Sequence, residues 1–324
     1  MKLLKLIPDD TNIKFLRFRI PFYVVSLLLM AASLGLVFTK GLNLGVDFVG
    51  GQMVRVTFTE SAAAPIPELR EEVTALGYGE PIIQQMGAPN EVALRMKLPE
   101  EGGELGTADQ MTREIVSTVR EAHADARIDG VEAVSGKVSE ELFSTGMLAL
   151  GLAMIGISIY IWVRFEWQFG VGALFALVHD VVLTLGLFAL TGLEFDLNIV
   201  AALLTLIGYS LNDNIVVYDR IRENLKKYRK MPLPELLDLS VNETLSRTIV
   251  TSGSLLITLV ALLVLGPDVI FGFTAAITFG IFVGTYSSIF MSTPILIWLG
   301  VTSDSFVPQE TDADRQEKIA RGEA

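Results

Sequence analysis

Apolar residues gather along this chain in six blocks, at about 20–39, 143–163, 169–191, 196–218, 248–266 and 271–299, with polar residues dominating elsewhere. A bilayer's hydrocarbon core is about 30 Å thick and an α-helix rises 1.5 Å per residue, so each block predicts a membrane-crossing helix. The last block is long enough to tilt or to end along the interface. The first contains Ala31-Ala32-Ser33, which looks like a cleavage site. Its apolar run continues through 34–38, whereas a signal peptide's apolar core spans about 7–15 residues, so an uncleaved helix is predicted.

The stretch between the first two blocks has other periods. Residues 52–60 alternate, with Val54, Val56 and Phe58 on one face, and 91–98 alternate with Val92, Leu94, Met96 and Leu98; both predict strands. Leu69, Val73 and Leu76 fall at helical spacing in 67–76, behind Pro67 in the first turn. Thr107 is a candidate cap for a helix through 122 with Met111, Ile115 and Val119 inward. Short strands at 82–86 and 130–134 complete the order βαββαβ, a ferredoxin-like split βαβ. The predicted class is a polytopic α-helical membrane protein: an N-terminal segment 1–19, helix 20–39, an α+β domain with linkers in 40–142, five helices in 143–299 and an acidic tail 300–324.

Charge sets the expected orientation. Lys2, Lys5, Lys14, Arg17 and Arg19 precede the first block; Arg164 lies between the second and third; Arg220, Arg222, Lys226, Lys227, Arg229 and Lys230 follow the fourth. The connections near 192–196 and 266–270 carry no Lys or Arg. Positive residues stay cytoplasmic, so both termini are expected inside and the α+β domain outside, in the periplasm of a Gram-negative cell. The hydrophobic share of 51% fits a membrane protein and not a soluble one. A net charge of −12 argues against nucleic acid, and the absence of cysteine excludes disulfides and thiolate metal sites. His123 and His179 form no metal motif, and His123 reads as a solvated residue. No phosphate-binding glycine loop, nucleophile elbow or metal-hydrolase helix is present, so neither a cofactor nor an enzymatic reaction is predicted.

The candidate chemistry lies within the apolar blocks. The fourth holds Asp213 between Asn212 and Asn214, after Tyr209 and Ser210, in a polar stripe of Thr205, Tyr209, Asn212 and Asp213. A charged side chain at the centre of a membrane helix costs about 2.5–3.5 kcal/mol on insertion scales, and marks an ion or proton path unless it only snorkels to the interface or pins two helices. The third block has Asp180, Thr184 and Thr191 on one face, with His179 beside the aspartate; the fifth opens with Arg247, Thr251, Ser254 and Thr258. Such stripes are expected to face the bundle interior or a wet cavity. Antiparallel packing of the fourth and fifth helices would set Arg247 level with Asp213, and protonating the carboxylate would break the pair. Asp180 with His179 is a second candidate centre. Gly272, Ala276, Gly280 and Gly284 form a small-residue ridge in the last block, which predicts close helix packing within the chain or with a partner.

Several motifs resemble one family. Gly45-Val46-Asp47-Phe48-Val49-Gly50-Gly51 resembles the Gly-x-Asp-Phe-x-Gly-Gly signature of the SecD/SecF proteins. Ala176-Leu177-Val178-His179-Asp180, the run 207–224 and Asn242-Glu243-Thr244-Leu245-Ser246-Arg247-Thr248 are similar to that family's motifs in its third, fourth and fifth spans. The length and single small domain fit the shorter of the two family branches. The resemblance implies pairing with SecD in a twelve-helix bundle and work beside the SecYEG channel, with YajC- or YidC-type accessory proteins. Proton-motive force would help draw preproteins outward after the SecA step, with Asp213 and Arg247 on the proton path. Two other readings stand beside it: half of a small-molecule or lipid exporter of the same superfamily, and a static assembly subunit. The role of the glycines in 45–51, hinge or tight turn, stays open.

Overall fold

The structure, a computed structural model, describes residues 8, 11–86, 88–96, 105–134 and 136–302. Lys2, Lys5, Leu98 and the acidic tail from 303 lie outside the described residues, as does the side chain of Thr107. Six helices are long and apolar enough to cross a membrane, one from each predicted block. They are α1 (Arg19–Thr39), α5 (Gly136–Arg164), α6 (Trp167–Thr191), α7 (Leu197–Lys227), α8 (Leu233–Leu265) and a composite sixth made of α9 (Phe271–Ser287), a π-helical turn (Ser288–Ser292) and α10 (Thr293–Trp298). The α7 and α8 helices outrun their apolar blocks. At 1.5 Å per residue, 31 and 33 residues reach about 46 and 50 Å, so both project beyond the hydrocarbon core at the end opposite the sheet. Asn224, Ser240 and Glu243 bond across this projection, and a period too polar to read as membrane hid it in the sequence.

Between α1 and α5 come β1 (Asn43–Leu44), α2 (Val46–Val49), β2 (Gly51–Phe58), α3 (Ile66–Ala75), β3 (Ile82–Gln85), β4 (Glu91–Met96), α4 (Leu105–Ala122) and β5 (Ala126–Val134). The α4 helix begins before Thr107, which therefore sits inside the first turn and does not cap it. The four long strands form an antiparallel sheet in the order β3-β4-β2-β5. Val54, Val56, Phe58, Val92, Leu94 and Met96 pack on Leu69, Val73, Met111, Ile115 and Val119, the faces the periodicities selected. The strand β5 is longer than the predicted 130–134 because Asp129 is an extra residue opposite Arg55/Val56. Such a bulge reverses the alternation partway and hides the first half of the strand. His123 is not simply solvated: its ring is edge-on to Phe58 and Nε2 lies 3.2 Å from Glu72.

The second face of β2 is covered as well. Met53 and Ala93 pack against Val46 of α2, which sets the sheet on one end of the helix bundle. The short strand β1 pairs in parallel with β6 (Glu194–Phe195), in the connection between α6 and α7. That connection begins at Gly192, whose φ of 74° ends α6 in the left-handed conformation glycine favours. It finishes at Asp196, whose carboxylate accepts the Ile199 N–H at 3.1 Å and caps α7. Arg95 on β4 completes the joint, its Nη2 forming an ion pair with Glu194 at 2.6 Å and its Nη1 donating to the Leu44 carbonyl at 2.8 Å.

Burial pushes the Glu194 carboxyl above its ordinary value, and Arg95 opposes that only in part. A raised value means that the docked state binds the proton better than the open chain does. Glu194 therefore contributes stability at acidic pH, and the contribution is lost as pH rises through the raised value. Glu194→Gln keeps a hydrogen-bond acceptor for Arg95 without a buried charge, and it is expected to unfold at least as high as the parent at neutral pH, with a flatter pH dependence. Arg95→Leu strands the carboxylate and is expected to lose about 3–5 kcal/mol. Thermal unfolding in detergent between pH 4 and pH 8 checks both; a Gln variant less stable than the parent at every pH would contradict the assignment.

Candidate functional site

Helix α7 turns its apolar side chains Ile207, Leu211 and Val217 into the bundle and carries Asp213 on the same inward side. The Asp213 side chain is held between α8 and the sixth span, with the residue only 7% exposed. One carboxylate oxygen accepts the Thr248 hydroxyl at 2.8 Å, and the other accepts the Ser288 hydroxyl at 2.8 Å. The expected Asp213–Arg247 bridge is absent: among the described residues Asp213 makes no ion pair, and Arg247 is exposed. The reason is helical phase. Successive residues point about 100° apart, so when Thr248 faces the carboxylate its neighbour Arg247 looks along the outside of α8.

Asp180, 1% exposed on α6, accepts hydroxyls from Ser210 at 2.6 Å and Ser287 at 2.9 Å on one oxygen, while His179 Nδ1 lies 3.0 Å from the other. His179 is fully buried, and its Nε2 has no hydrogen-bond partner. The two carboxylates thus come from different helices and are held by consecutive residues, Ser287 and Ser288, of a third. Asn214 donates to the Ser210 carbonyl on its own helix, leaving its Oδ1 buried and unpartnered. Beside Asp213 the Tyr209 and Thr285 hydroxyls both donate to Ser252, at 3.0 and 2.8 Å.

Neither predicted stripe on α7 and α8 lies wholly inside. Thr251, Ser254 and Thr258 on α8, and Thr205 and Asn212 on α7, are exposed along with Arg247. The four threonine and serine hydroxyls return to carbonyls three or four residues back on their own helices, which satisfies them without an interior partner. The buried polar side chains of α8 are Ser240, Thr244, Thr248 and Ser252 instead. The ridge Gly272, Ala276, Gly280 and Gly284 packs within the chain: a Cβ on Gly280 would fall 2.6 Å from Leu206, and one on Gly284 would fall 3.5 Å from Asp180 Oδ2.

The two serines stand where the sixth span changes winding. Pro294 has no N–H and its ring crowds the preceding turn, so the backbone widens over Ser288–Ser292. Ser292 and Thr293 hydroxyls donate back to the Ser288 carbonyl at 2.8 and 2.9 Å. The Met291 carbonyl accepts the Tyr23 hydroxyl from α1, and the Ser292 carbonyl accepts Tyr218 from α7 at 3.3 Å. Non-helical backbone inside a bilayer persists only where such partners are present. The sequence signal, Ser287-Ser288 followed by Ser292-Thr293-Pro294 in an apolar run, was there to be read, but the glycine ridge suggested packing alone.

The glycine-rich segment lies away from these carboxylates, at the joint with the sheet. Asp47 accepts the Leu197 N–H at 3.0 Å, and Phe48 is buried against Phe143 and Phe195. Gly50 and Gly51 have φ of 72° and 115°, so the segment is a tight turn. A Cβ on Gly45 would meet Glu194 Oε1 at 2.9 Å. Among the described residues no three His, Asp or Glu side chains converge as metal ligands. The chemistry open to such a group is proton binding and release at two buried carboxylates, each held by two hydroxyls.

Comparison with known proteins gives this arrangement a context. Residues 114–302 match the family described as protein export membrane protein SecD/SecF, C-terminal, and residues 35–62 match the SecD/SecF GG motif. The protein translocase subunit SecF of Cereibacter sphaeroides is 46% identical over 302 residues, covering 92% of this chain and 93% of that one. Its counterpart in Pseudomonas aeruginosa is 39% identical, covering 92% and 95%. The crystal structure of SecDF, a translocon-associated membrane protein from Thermus thermophilus, superposes with a TM-score of 0.82 at 35% identity over 91% of this chain. This chain covers only 39% of that longer one.

Proposed function

Since the chain belongs to the SecD/SecF family of protein export membrane proteins, we propose that it is the SecF-type half of a proton-driven unit that assists preprotein export. A SecD-type chain supplies the other half. The unit works beside the SecYEG channel after the SecA-driven step, in the inner membrane, and YajC- or YidC-type accessory proteins belong to the same reading. In this reading the lysine- and arginine-rich end of the bundle and both termini are cytoplasmic, and the sheet is periplasmic.

The observation that carries the proposal is Asp213, a carboxylate in a membrane helix whose hydrogen-bond donors are two neutral hydroxyls, with Arg247 near enough to act on it electrostatically but not in contact. A group so placed changes its net charge with each proton it takes up, and moving that charge across the membrane is what a proton gradient drives. The test is preprotein export into vesicles, with and without a gradient, using the parent and Asp213→Asn.

The outer face of α7 and α8 supports the second chain. Arg247 sits one residue from Thr248, hence near the depth of Asp213, and opens a polar strip with Asn212, Thr205, Thr251, Ser254 and Thr258. Lipid tails offer an exposed guanidinium no partner, whereas a second helical half can. Native mass spectrometry of the gently extracted protein is expected to detect a heteromer with a SecD-type chain; a lone, fully active monomer would contradict this.

A further inference from the structure

Ser287 and Ser288 each have two acceptors in reach. Ser287 Oγ lies 2.9 Å from Asp180 Oδ2 and 3.1 Å from the Gly284 carbonyl. Ser288 Oγ lies 2.8 Å from Asp213 Oδ2 and 3.1 Å from the Thr285 carbonyl. A hydroxyl has one proton to give and can also accept. Facing an ionised carboxylate, the serine donates to it. When that carboxylate takes up a proton, its new O–H needs an acceptor, and the serine meets the need by turning its own O–H to the backbone carbonyl. No covalent bond other than the carboxyl O–H is made or broken.

The two rotors are adjacent residues at an α-to-π junction. Within that π turn the Ser288 carbonyl also takes two side-chain hydroxyls, from Ser292 and Thr293, so the backbone that carries both serines is tied to them. A shift at one serine therefore displaces the other. We infer that Ser287 and Ser288 are positioning residues that join Asp180 and Asp213 into one proton-binding unit, so that the charge on either aspartate sets the response of both. This rests on the proton-driven reading above and extends it to a second carboxylate.

The other ionisable groups around the unit are His179 on α6, Tyr209 and Tyr218 on α7, Arg247 on α8, Tyr286 on α9 and Tyr23 on α1. His179 touches Asp180 directly, so the infrared measurement is repeated in a His179→Gln background.

The experiment uses the full chain purified with its partner and reads the carboxyl C=O stretch by pH-difference infrared spectroscopy, with Asp180→Asn and Asp213→Asn assigning the bands. Gradient-dependent export is measured on the same preparations. Ser288→Ala removes one of the two donors to Asp213 and is expected to move the Asp213 band's midpoint upward by about one to two pH units. The discriminating variant is Ser287→Ala: the Ser287 hydroxyl bonds Asp180 and not Asp213, yet its loss is expected to move the Asp213 band as well. Ser287→Thr and Ser288→Thr keep a hydroxyl and should restore the parent midpoints. Ser287→Ala shifting the Asp180 band alone would overturn the inference, as would alanine variants that fail to assemble and are not rescued by threonine. An Asp213→Asn protein with normal gradient dependence would instead sink the functional reading, while the infrared bands would still decide whether the two carboxylates are joined.

Discussion

Asp213→Asn is expected to export preprotein at the same rate with and without a proton gradient, in a complex that still assembles. Asparagine matches the size of aspartate and keeps one carbonyl oxygen for the Thr248 or Ser288 hydroxyl, while the remaining hydroxyl has the Thr285 carbonyl or its own helix to turn to. Packing therefore survives and only the titration goes. A gradient of 100 mV supplies about 2.3 kcal/mol per charge moved, which bounds the lost stimulation at about fifty-fold. Arg247→Leu is expected to lose the gradient dependence too. It should leave the chain folded, because Asp213 keeps both of its hydroxyl donors when Arg247 is removed. Full gradient dependence in Asp213→Asn would make the residue structural.

Gly50→Ala is expected to be strongly destabilising for a single added methyl. The residue has φ 72° and ψ 171°, a combination that is essentially glycine's alone. A Cβ there would stand 3.0 Å from Gly136 Cα and 3.0 Å from Ser139 Oγ, where α5 leaves the sheet. Backbone strain of about 1–3 kcal/mol adds to an overpacking cost of similar size. Gly35→Ala in the middle of α1 is the control: nothing lies within 4 Å of its Cβ and its φ is ordinary, so stability should hold or rise slightly. Thermal unfolding in detergent measures both, and a Gly50→Ala midpoint equal to the parent's would refute the argument.

The sequence revealed whatever is local. Six apolar runs became six helices because length and hydropathy alone decide whether a helix can span. The inward sides of β2, β4 and α4 followed from a period of two or of about three and a half residues. What was not legible depends on partners far along the chain. Arg95 and Glu194 are ordinary surface residues by type, and only the fold brings them to 2.6 Å. Asp213 was legible because a carboxylate in an apolar run is conspicuous, but its partners were not. Arg247 drew attention by charge, whereas the actual donors, Thr248 and Ser288, are the kind of residue that membrane helices carry without consequence.

The two-residue pairing of β1 with β6 bears on how the chain is made. Asp47 and the Leu197 amide it holds are 150 residues apart, and the strand pairs Asn43–Glu194 and Leu44–Phe195 span a similar distance. At a synthesis rate of about 5–20 residues per second, the first helix and the segment after it wait roughly 8–30 s before their anchoring partner leaves the ribosome. During that interval β1 has no β6 to pair with and Arg95 has no Glu194 to meet. The nascent chain is then most open to proteases and to holding factors. Slowing translation after residue 134 should lengthen this window, and pulse-chase proteolysis would register it as a longer-lived cleavable intermediate.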